Sequence, residues 1–100
     1  MTILKVGQLV CSKAGRDKGD YYIVTKIIDS RFVQAANGSS RKLNSSKKKN
    51  KKHLIIYPYV DEEIGKIIRN KKVNNGELVK AFNKLLQKVS KQDNKGGFTT

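Results

Sequence analysis

The apolar residues of this chain of 100 amino acids follow one period before Pro58 and another after it. Before Pro58 they form short runs, rich in aromatic and β-branched residues, and turn-forming Gly, Asn, Asp and Ser residues separate these runs. Such runs predict β-strands. After Pro58 the apolar residues recur every three to four positions, which predicts helices. We therefore expect an α+β fold with a mostly β core, in which the strands precede the helices.

The first half predicts five short strands that close into a small barrel. Asn37-Gly38 stands between two of the runs, and this dipeptide favours a type I′ hairpin turn because both central residues of such a turn need a positive φ. Five strands in about 50 residues favour a barrel over an open sheet, since closure removes exposed edges. The predicted strands cover residues 8–12, 21–28, 31–36, 39–43 and 53–57.

The second half predicts a hairpin of two helices. Asp61 is a suitable N-cap for the first helix, and isoleucines follow it at helical spacing. The second helix carries one apolar stripe, formed by Leu78, Val79, Phe82, Leu85, Leu86 and Val89. We expect a barrel over residues 1–58, a helical hairpin appended to it over 59–91, and a disordered tail over 92–100.

Basic residues far outnumber acidic residues. The chain has 22 Lys and Arg against 8 Asp and Glu, a net charge of +14, and its pI is near 10.1. Residues 1–52 hold 13 basic and 3 acidic residues, so the predicted barrel carries +10 of this excess. A nucleic acid is the leading partner and an anionic membrane the second. The alternative interpretation is a basic domain that is merely soluble and has no anionic partner. A chain of this length has no room for a large substrate cleft, which excludes a multidomain enzyme.

The cysteine, histidine and acidic residues form no pattern typical of a catalytic or metal site. Cys11 is the single cysteine and lies in an apolar run, so we interpret it as a buried strand residue in a reducing compartment. His53 is the single histidine, which argues against a zinc site. The apolar run at residues 54–60 is far shorter than the span of about 20 residues that crosses a membrane. We expect a cytoplasmic monomer without enzyme activity, cofactor or membrane contact.

The segment between the first two predicted strands carries the most specific signal. Gly15 and Gly19 bracket Arg16, Asp17 and Lys18, and paired glycines allow positive φ angles and close approach of the backbone to a ligand. An ordinary polar hairpin fits this spacing equally well. The pattern Gly-x-x-Val, then Gly-Arg-Asp-Lys-Gly, then an aliphatic strand resembles a KOW motif. This motif is found in SH3-like barrels of ribosomal proteins and transcription elongation factors.

The likeness extends through Asn37-Gly38 and the lysine run, over roughly residues 5–57. Over this range the chain is similar to short bacterial KOW-domain RNA-binding proteins that are related to large-subunit ribosomal KOW proteins of archaea and eukaryotes. The resemblance implies an SH3-like barrel whose KOW loop and neighbouring basic loop grip the backbone of ribosomal RNA. It implies these RNA-binding residues: Lys13, Gly15, Arg16, Lys18, Gly19, Arg41, Lys42, Lys47, Lys48, Lys49, Lys51, Lys52 and His53. A solvated basic loop is the alternative interpretation of the lysine run.

Two functions therefore compete. The leading hypothesis is a non-catalytic, ribosome-associated protein that binds RNA by charge neutralisation and prefers shape over sequence. The alternative is an adaptor of the transcription-elongation type, whose barrel or helical hairpin docks on ribosomal or other proteins. The apolar stripe of the second helix bears on this choice, because it packs either on the barrel or on a partner.

Overall fold

The structure, a computed structural model, describes the backbone of residues 4–96 and the side chains of residues 4–89. Strands precede helices in it, which confirms the predicted α+β class and order of elements. The strands are β1 (Gln8–Ser12), β2 (Tyr21–Ile27), β3 (Phe32–Ala36), β4 (Lys47–Asn50) and β5 (Leu54–Val60). The helices are α1 (Glu62–Arg69) and α2 (Asn75–Gly96), and short 3-10 turns occupy Leu43–Ser45 and Lys51–His53.

The five strands form one antiparallel sheet in the order β4-β3-β2-β1-β5. The expectation of a closed barrel is wrong, because no ladder joins the edge strands β4 and β5 in the described part of the chain. The sheet nevertheless curls. The Nζ of Lys49 on β4 lies 3.4 Å from the Oγ of Ser12 on β1, although two strands separate them and neighbouring strands are about 4.8 Å apart. Side chains, not backbone ladder hydrogen bonds, therefore connect β4 to β1.

The fourth strand does not lie where the sequence predicted it. The partner of β3 is the lysine segment Lys47–Asn50, and residues 39–43 form no strand. Only Gly38 of the Asn37-Gly38 pair has a positive φ, so the turn is not of type I′. Instead, the Oδ1 of Asn37 accepts hydrogen bonds from the backbone N–H groups of Ser39 and Arg41, at 3.0 and 2.9 Å. The Asn37 side chain therefore stabilises a wider loop, and the chain returns to the sheet only at Lys47.

Two apolar clusters lie on opposite faces of the sheet, as the alternation of side chains along a strand requires. One face carries Leu9 and Ile23 and is covered by α2. The other face carries Val10, Val24 and Val33, and the curl of the sheet encloses it. Consecutive residues of β1 are thus buried on both faces, and all five of its residues are buried. This double burial explains why β1 reads as a continuous apolar run.

Both helices pack on the sheet. In α2, Leu78 and Leu85 are fully buried against the first cluster, which confirms that the apolar stripe packs on the sheet. In α1, a Cβ placed on Gly65 would lie 2.6 Å from the carbonyl oxygen of Val6, so this helix meets the backbone before β1 without an intervening side chain. The two helices also meet in an ion pair between Lys84 and Asp61, at 3.1 Å. A helical hairpin as a unit of its own is not confirmed.

Two boundaries differ from the predicted ones. Strand β5 continues through Pro58 to Val60, beyond the predicted boundary at residue 58. It is an edge strand, where a proline without an N–H group is tolerated. Helix α2 begins after Asn74, whose Oδ1 accepts a hydrogen bond from the Glu77 N–H at 2.8 Å, and it continues to Gly96, into the segment predicted as a disordered tail. Residues 97–100 of that tail lie outside the described residues.

Candidate nucleic-acid interface

The loop between β1 and β2 is closed by its own backbone. The N–H of Gly19 donates to the carbonyl of Ser12 at 2.8 Å, and the N–H of Ser12 donates to the carbonyl of Asp20 at 2.9 Å. Gly15 and Gly19 have φ angles of 83° and 92°, which confirms the expected positive φ at both glycines. The loop is therefore a tight, defined turn whose conformation depends on residues without a Cβ.

The three cationic side chains of this loop and the central acidic residue, Asp17, point to different sides, while Asp20 at the end of the loop is exposed. Lys13, Arg16 and Lys18 are exposed, whereas the Asp17 side chain is only 10% exposed. The Oδ1 of Asp17 accepts a hydrogen bond from the Oγ of Ser12 at 2.8 Å. Its Oδ2 accepts one from the Tyr22 hydroxyl at 2.9 Å. The loop thus turns Asp17 inward and its three cations outward.

Lysines from β4 complete the surroundings of Asp17. Lys49 forms a close ion pair with its Oδ2, and the Nζ of Lys47 lies 3.5 Å from the same oxygen. The Nζ of Lys49 also lies 5.7 Å from the centre of the Tyr22 ring. We call this set of five residues the Asp17 network; its members are Ser12, Asp17, Tyr22, Lys47 and Lys49. The network connects the loop to both β2 and the far edge of the sheet.

Hydrogen bonding fixes the protonation states within this network. Burial alone would raise the pKa of Asp17, but the hydrogen bonds from Lys49, Ser12 and Tyr22 outweigh it and hold the pKa well below its usual value. Burial, followed by the hydrogen bond to Asp17, raises the pKa of Tyr22. Asp17 is therefore a carboxylate and Tyr22 a neutral donor at physiological pH. The carboxylate offsets the charge of Lys49, which would otherwise be buried without a counter-ion.

The lysine run is not a solvated loop over its whole length. Lys49 is 9% exposed and points into the Asp17 network, and Lys47, on the same face of β4, is half-buried beside it. Lys48 points to the other face, is exposed, and its Nζ lies 4.4 Å from the centre of the Phe32 ring. The alternation of a strand thus divides the run into inward and outward lysines. We therefore remove Lys49 from the set of residues proposed to contact phosphate.

The segment after β4 lies beside the loop. The Lys51–His53 turn begins with Asn50, whose Oδ1 accepts a hydrogen bond from the Lys52 N–H at 3.1 Å. The N–H of Lys13 donates to the carbonyl of His53 at 3.0 Å, so these two residues are neighbours. Lys52 and His53 are exposed and Lys51 is half-buried. The structure thus brings both predicted basic segments to one edge of the molecule.

Arg41 and Lys42 lie apart from this edge, on the wide loop after β3. The guanidinium of Arg41 donates to the carbonyl of Ser45 at 3.3 Å, and Arg41 is half-buried. Lys42 is exposed and precedes the Leu43–Ser45 turn. The N–H of Leu43 donates to the Oδ1 of Asn75, at 2.9 Å, so this loop is fixed to the start of α2. These two cations therefore lie away from the exposed cations of the β1–β2 loop.

The residues missed in the sequence are those that orient the loop: Ser12, Asp17 and Tyr22. One signal for them was present, because Asp17 lies between two cations, Arg16 and Lys18, at the centre of the loop. Cys11, beside Ser12, is buried, as the sequence predicted. Burial, with smaller contributions from Asp20 and Asp17, raises the pKa of its thiol, so the group is a poor nucleophile.

Metal-ligating side chains do not cluster in the part of the chain that the structure describes. No group of three or more His, Cys, Asp or Glu side chains is arranged there to hold a metal ion. Within residues 4–96, neither helix combines the length and the apolar character needed to span a membrane.

Comparison with known proteins gives no family. The chain matches no protein-family model, and it matches no curated protein sequence. The resemblance to KOW domains therefore rests on the residues of the chain itself.

Proposed function

We propose that this protein is a non-catalytic RNA-binding protein of the KOW type. The observation that carries the proposal is the division of charge at the β1–β2 loop. Lys13, Arg16 and Lys18 are exposed, while Asp17 is turned inward and neutralised by Lys49. A loop built in this way presents cations with no carboxylate of Asp17 beside them to compete for them.

Binding would occur through the RNA backbone. The exposed cations Lys13, Arg16, Lys18 and Lys52 lie at one edge of the molecule beside the exposed His53, where phosphates can bind them and release condensed counterions. Arginine adds a planar fork that binds phosphate with two hydrogen bonds or stacks on an unpaired base. Such contacts read the shape and charge of RNA rather than its sequence.

We further propose that the RNA is ribosomal and that the protein acts in the cytoplasm on the large ribosomal subunit. The support is the KOW resemblance of residues 5–57, together with the net charge of +14. The adaptor alternative loses its main support, because Leu78 and Leu85 of the apolar stripe are buried on the sheet.

The proposal is tested by the salt dependence of RNA binding. The full chain is titrated into a fluorescent, blunt-ended RNA hairpin over a series of salt concentrations, and the logarithm of affinity is plotted against the logarithm of salt concentration. The variant Arg16→Ala/Lys18→Ala removes two exposed cations of the loop. The slope should fall by about 1.4 to 1.8, because each lost phosphate contact contributes about 0.7 to 0.9.

The matched control is Lys66→Ala/Lys80→Ala, which removes the same charge from exposed positions on the helices. The control should leave the slope within the error of the parent chain. Equal slopes for the two double variants would contradict the proposed interface, and salt-independent binding would contradict RNA binding by the backbone. Sedimentation of a cell lysate at low and high salt then tests the ribosomal assignment, which predicts that the protein travels with the large subunit at low salt.

A further inference from the structure

A second cationic surface lies on the face of the sheet opposite the Asp17 network. It is a groove of about 820 Å³ between the end of β2 and the end of α1. Leu43, Ile68 and Val73 supply apolar floor, and Thr25 and Gln34 supply polar side chains. Lys26, Arg69 and Lys71 stand around it, and no acidic residue is among its described lining residues. The groove therefore offers positive charge beside apolar surface.

A β-bulge directs Lys26 toward this groove. In the ladder between β2 and β3, Val24 pairs with Ala35 and Lys26 pairs with Gln34, so Thr25 is the extra residue. Paired residues share a face, and regular alternation would have put Lys26 on the face of Val24. The bulge moves it to the face of Gln34 instead, as bulges that re-aim side chains do.

Lys71 reaches the groove from a backbone conformation that is unfavourable for lysine. Its φ is 59°, the left-handed region in which helices usually end with glycine. Its N–H donates to the carbonyl of Ile68 at 3.0 Å, and the N–H of Lys72 donates to the carbonyl of Ile67 at 3.1 Å. This is the Schellman pattern, in which glycine would serve the backbone better. Residues held in sparsely populated backbone conformations are concentrated at functional sites.

We propose that this groove binds an unpaired nucleotide of the RNA, an inference that rests on the proposed function. A nucleotide carries an anionic phosphate and a flat body with hydrogen-bonding edges, and the groove supplies a counterpart for each. Lys26, Arg69 and Lys71 face the phosphates, and the apolar floor accepts the base. A duplex offers only its phosphates to such a groove, because its bases are paired and stacked.

The groove adjoins the lysine strand through Gln34, which lines the groove and pairs with Lys48. Lys48 pairs with Gln34 in the ladder between β3 and β4, so its exposed side chain lies on the groove face. A strand of RNA leaving a helix held at the loop edge can therefore follow β4 into the groove without leaving cationic surface. The protein then selects RNA in which a helix is flanked by single-stranded nucleotides.

The test compares two RNA probes, the blunt-ended hairpin and the same hairpin with a short 3′ overhang of uridines. Overhang binding should tighten the affinity of the full chain by about tenfold, because one more nucleotide gains a contact with the groove cations and the apolar floor. Arg69→Ala and Lys71→Gly should each remove most of this gain while changing the affinity for the blunt hairpin little. Lys66→Ala, an exposed lysine of α1 outside the groove, is the control and should keep the full gain.

Lys71→Gly also separates a binding defect from misfolding. Glycine fits a φ of 59°, so this variant should melt at the same temperature as the parent chain or higher while losing the overhang gain. Equal affinity for the two probes, with normal binding of the blunt hairpin, would overturn the groove assignment alone. Failure to bind the blunt hairpin would overturn the proposed function as well.

Discussion

Replacing Asp17 with asparagine removes one negative charge from the centre of the Asp17 network while keeping the size of the side chain. The Asp17 and Lys49 side chains are each 10% exposed, so the variant leaves an ammonium group with little access to water and no close counter-ion. Breaking a buried ion pair in this way costs about 3 to 5 kcal/mol. We take about 3 kcal/mol, the lower end, because Lys49 keeps its contact with the Oγ of Ser12 at 3.4 Å.

This loss is large for a domain of 100 residues, whose total stability is about 5 to 15 kcal/mol. Since 1 kcal/mol corresponds to about 4 to 8 °C in a domain of this size, the Tm of Asp17→Asn should fall by about 12 to 24 °C. Urea titration followed by circular dichroism measures the free energy of unfolding, and a thermal melt measures the Tm.

A double-mutant cycle with Lys49→Met isolates the contribution of the pair. Lys49→Met alone should cost less than Asp17→Asn, since Asp17 retains hydrogen bonds from Ser12 and Tyr22 and the nearby Lys47. The double variant should recover to within about 1 kcal/mol of the parent chain, because neither buried partner is then charged. Additive losses in the two single variants would refute the ion pair as the source of the effect.

The same variants test the assignment of Lys49. The double variant should bind the blunt hairpin with the salt slope of the parent chain, because Lys49 does not reach the surface. A slope that falls by about 0.7 to 0.9 in this variant would return Lys49 to the set of phosphate contacts.

The contribution of Asp17 also has a defined pH dependence. The folded state lowers the pKa of this carboxyl, so its stabilisation is complete above the unfolded value of about 3.9 and is lost as the pH falls through the folded value. The difference in stability between the parent chain and Asp17→Asn should therefore be constant from neutral pH to about 5 and should shrink below about 4. A difference that already shrinks between pH 7 and 5 would contradict the lowered pKa.

Two further substitutions test how the helices are held. Asp61→Ala should cost about 1 kcal/mol or slightly more in urea unfolding, because it removes both the N-cap hydrogen bond from the Ile64 N–H, at 3.0 Å, and the ion pair with Lys84. Asp61→Asn keeps the cap and should cost less, and equal losses would contradict a capping role. Gly65→Ala should cost about 1 to 3 kcal/mol, since the new Cβ would lie 2.6 Å from the carbonyl oxygen of Val6. The control Gly76→Ala should be neutral or stabilising. A Gly65→Ala variant as stable as the parent chain would show that α1 does not approach the backbone so closely.

The elements that the sequence predicted well are those whose signals are local. The first three strands are apolar runs bounded by turn residues, and β1 and β3 begin and end within one residue of their predicted bounds. The cap at Asp61 and the positive φ at Gly15 and Gly19 follow from single residues and their nearest neighbours. In each case the pattern and the structure it predicts lie within a few positions of each other.

The fourth strand could not be predicted in this way. Its four residues, Lys47–Asn50, contain no apolar residue, and a strand at the edge of a sheet needs none on its outer face. What makes it a strand is its pairing with β3 and the presence of a buried acid for its inward lysine. Both conditions depend on residues distant in the chain, and neither is visible in the lysine run itself.

The same long-range pairing explains why the sequence could not separate the inward lysines of the run from the outward ones. A charge run in a loop presents all of its cations to solvent, but a charge run in a strand presents alternate ones. Lys48 faces outward, whereas Lys47 and Lys49 face Asp17, and this exchange is what turns the carboxylate away from Arg16 and Lys18. The inward lysines thus serve the proposed RNA surface indirectly. They neutralise Asp17, which would otherwise compete with phosphate for the loop cations. The same contacts hold β4 close to the β1–β2 loop, although the sheet is open.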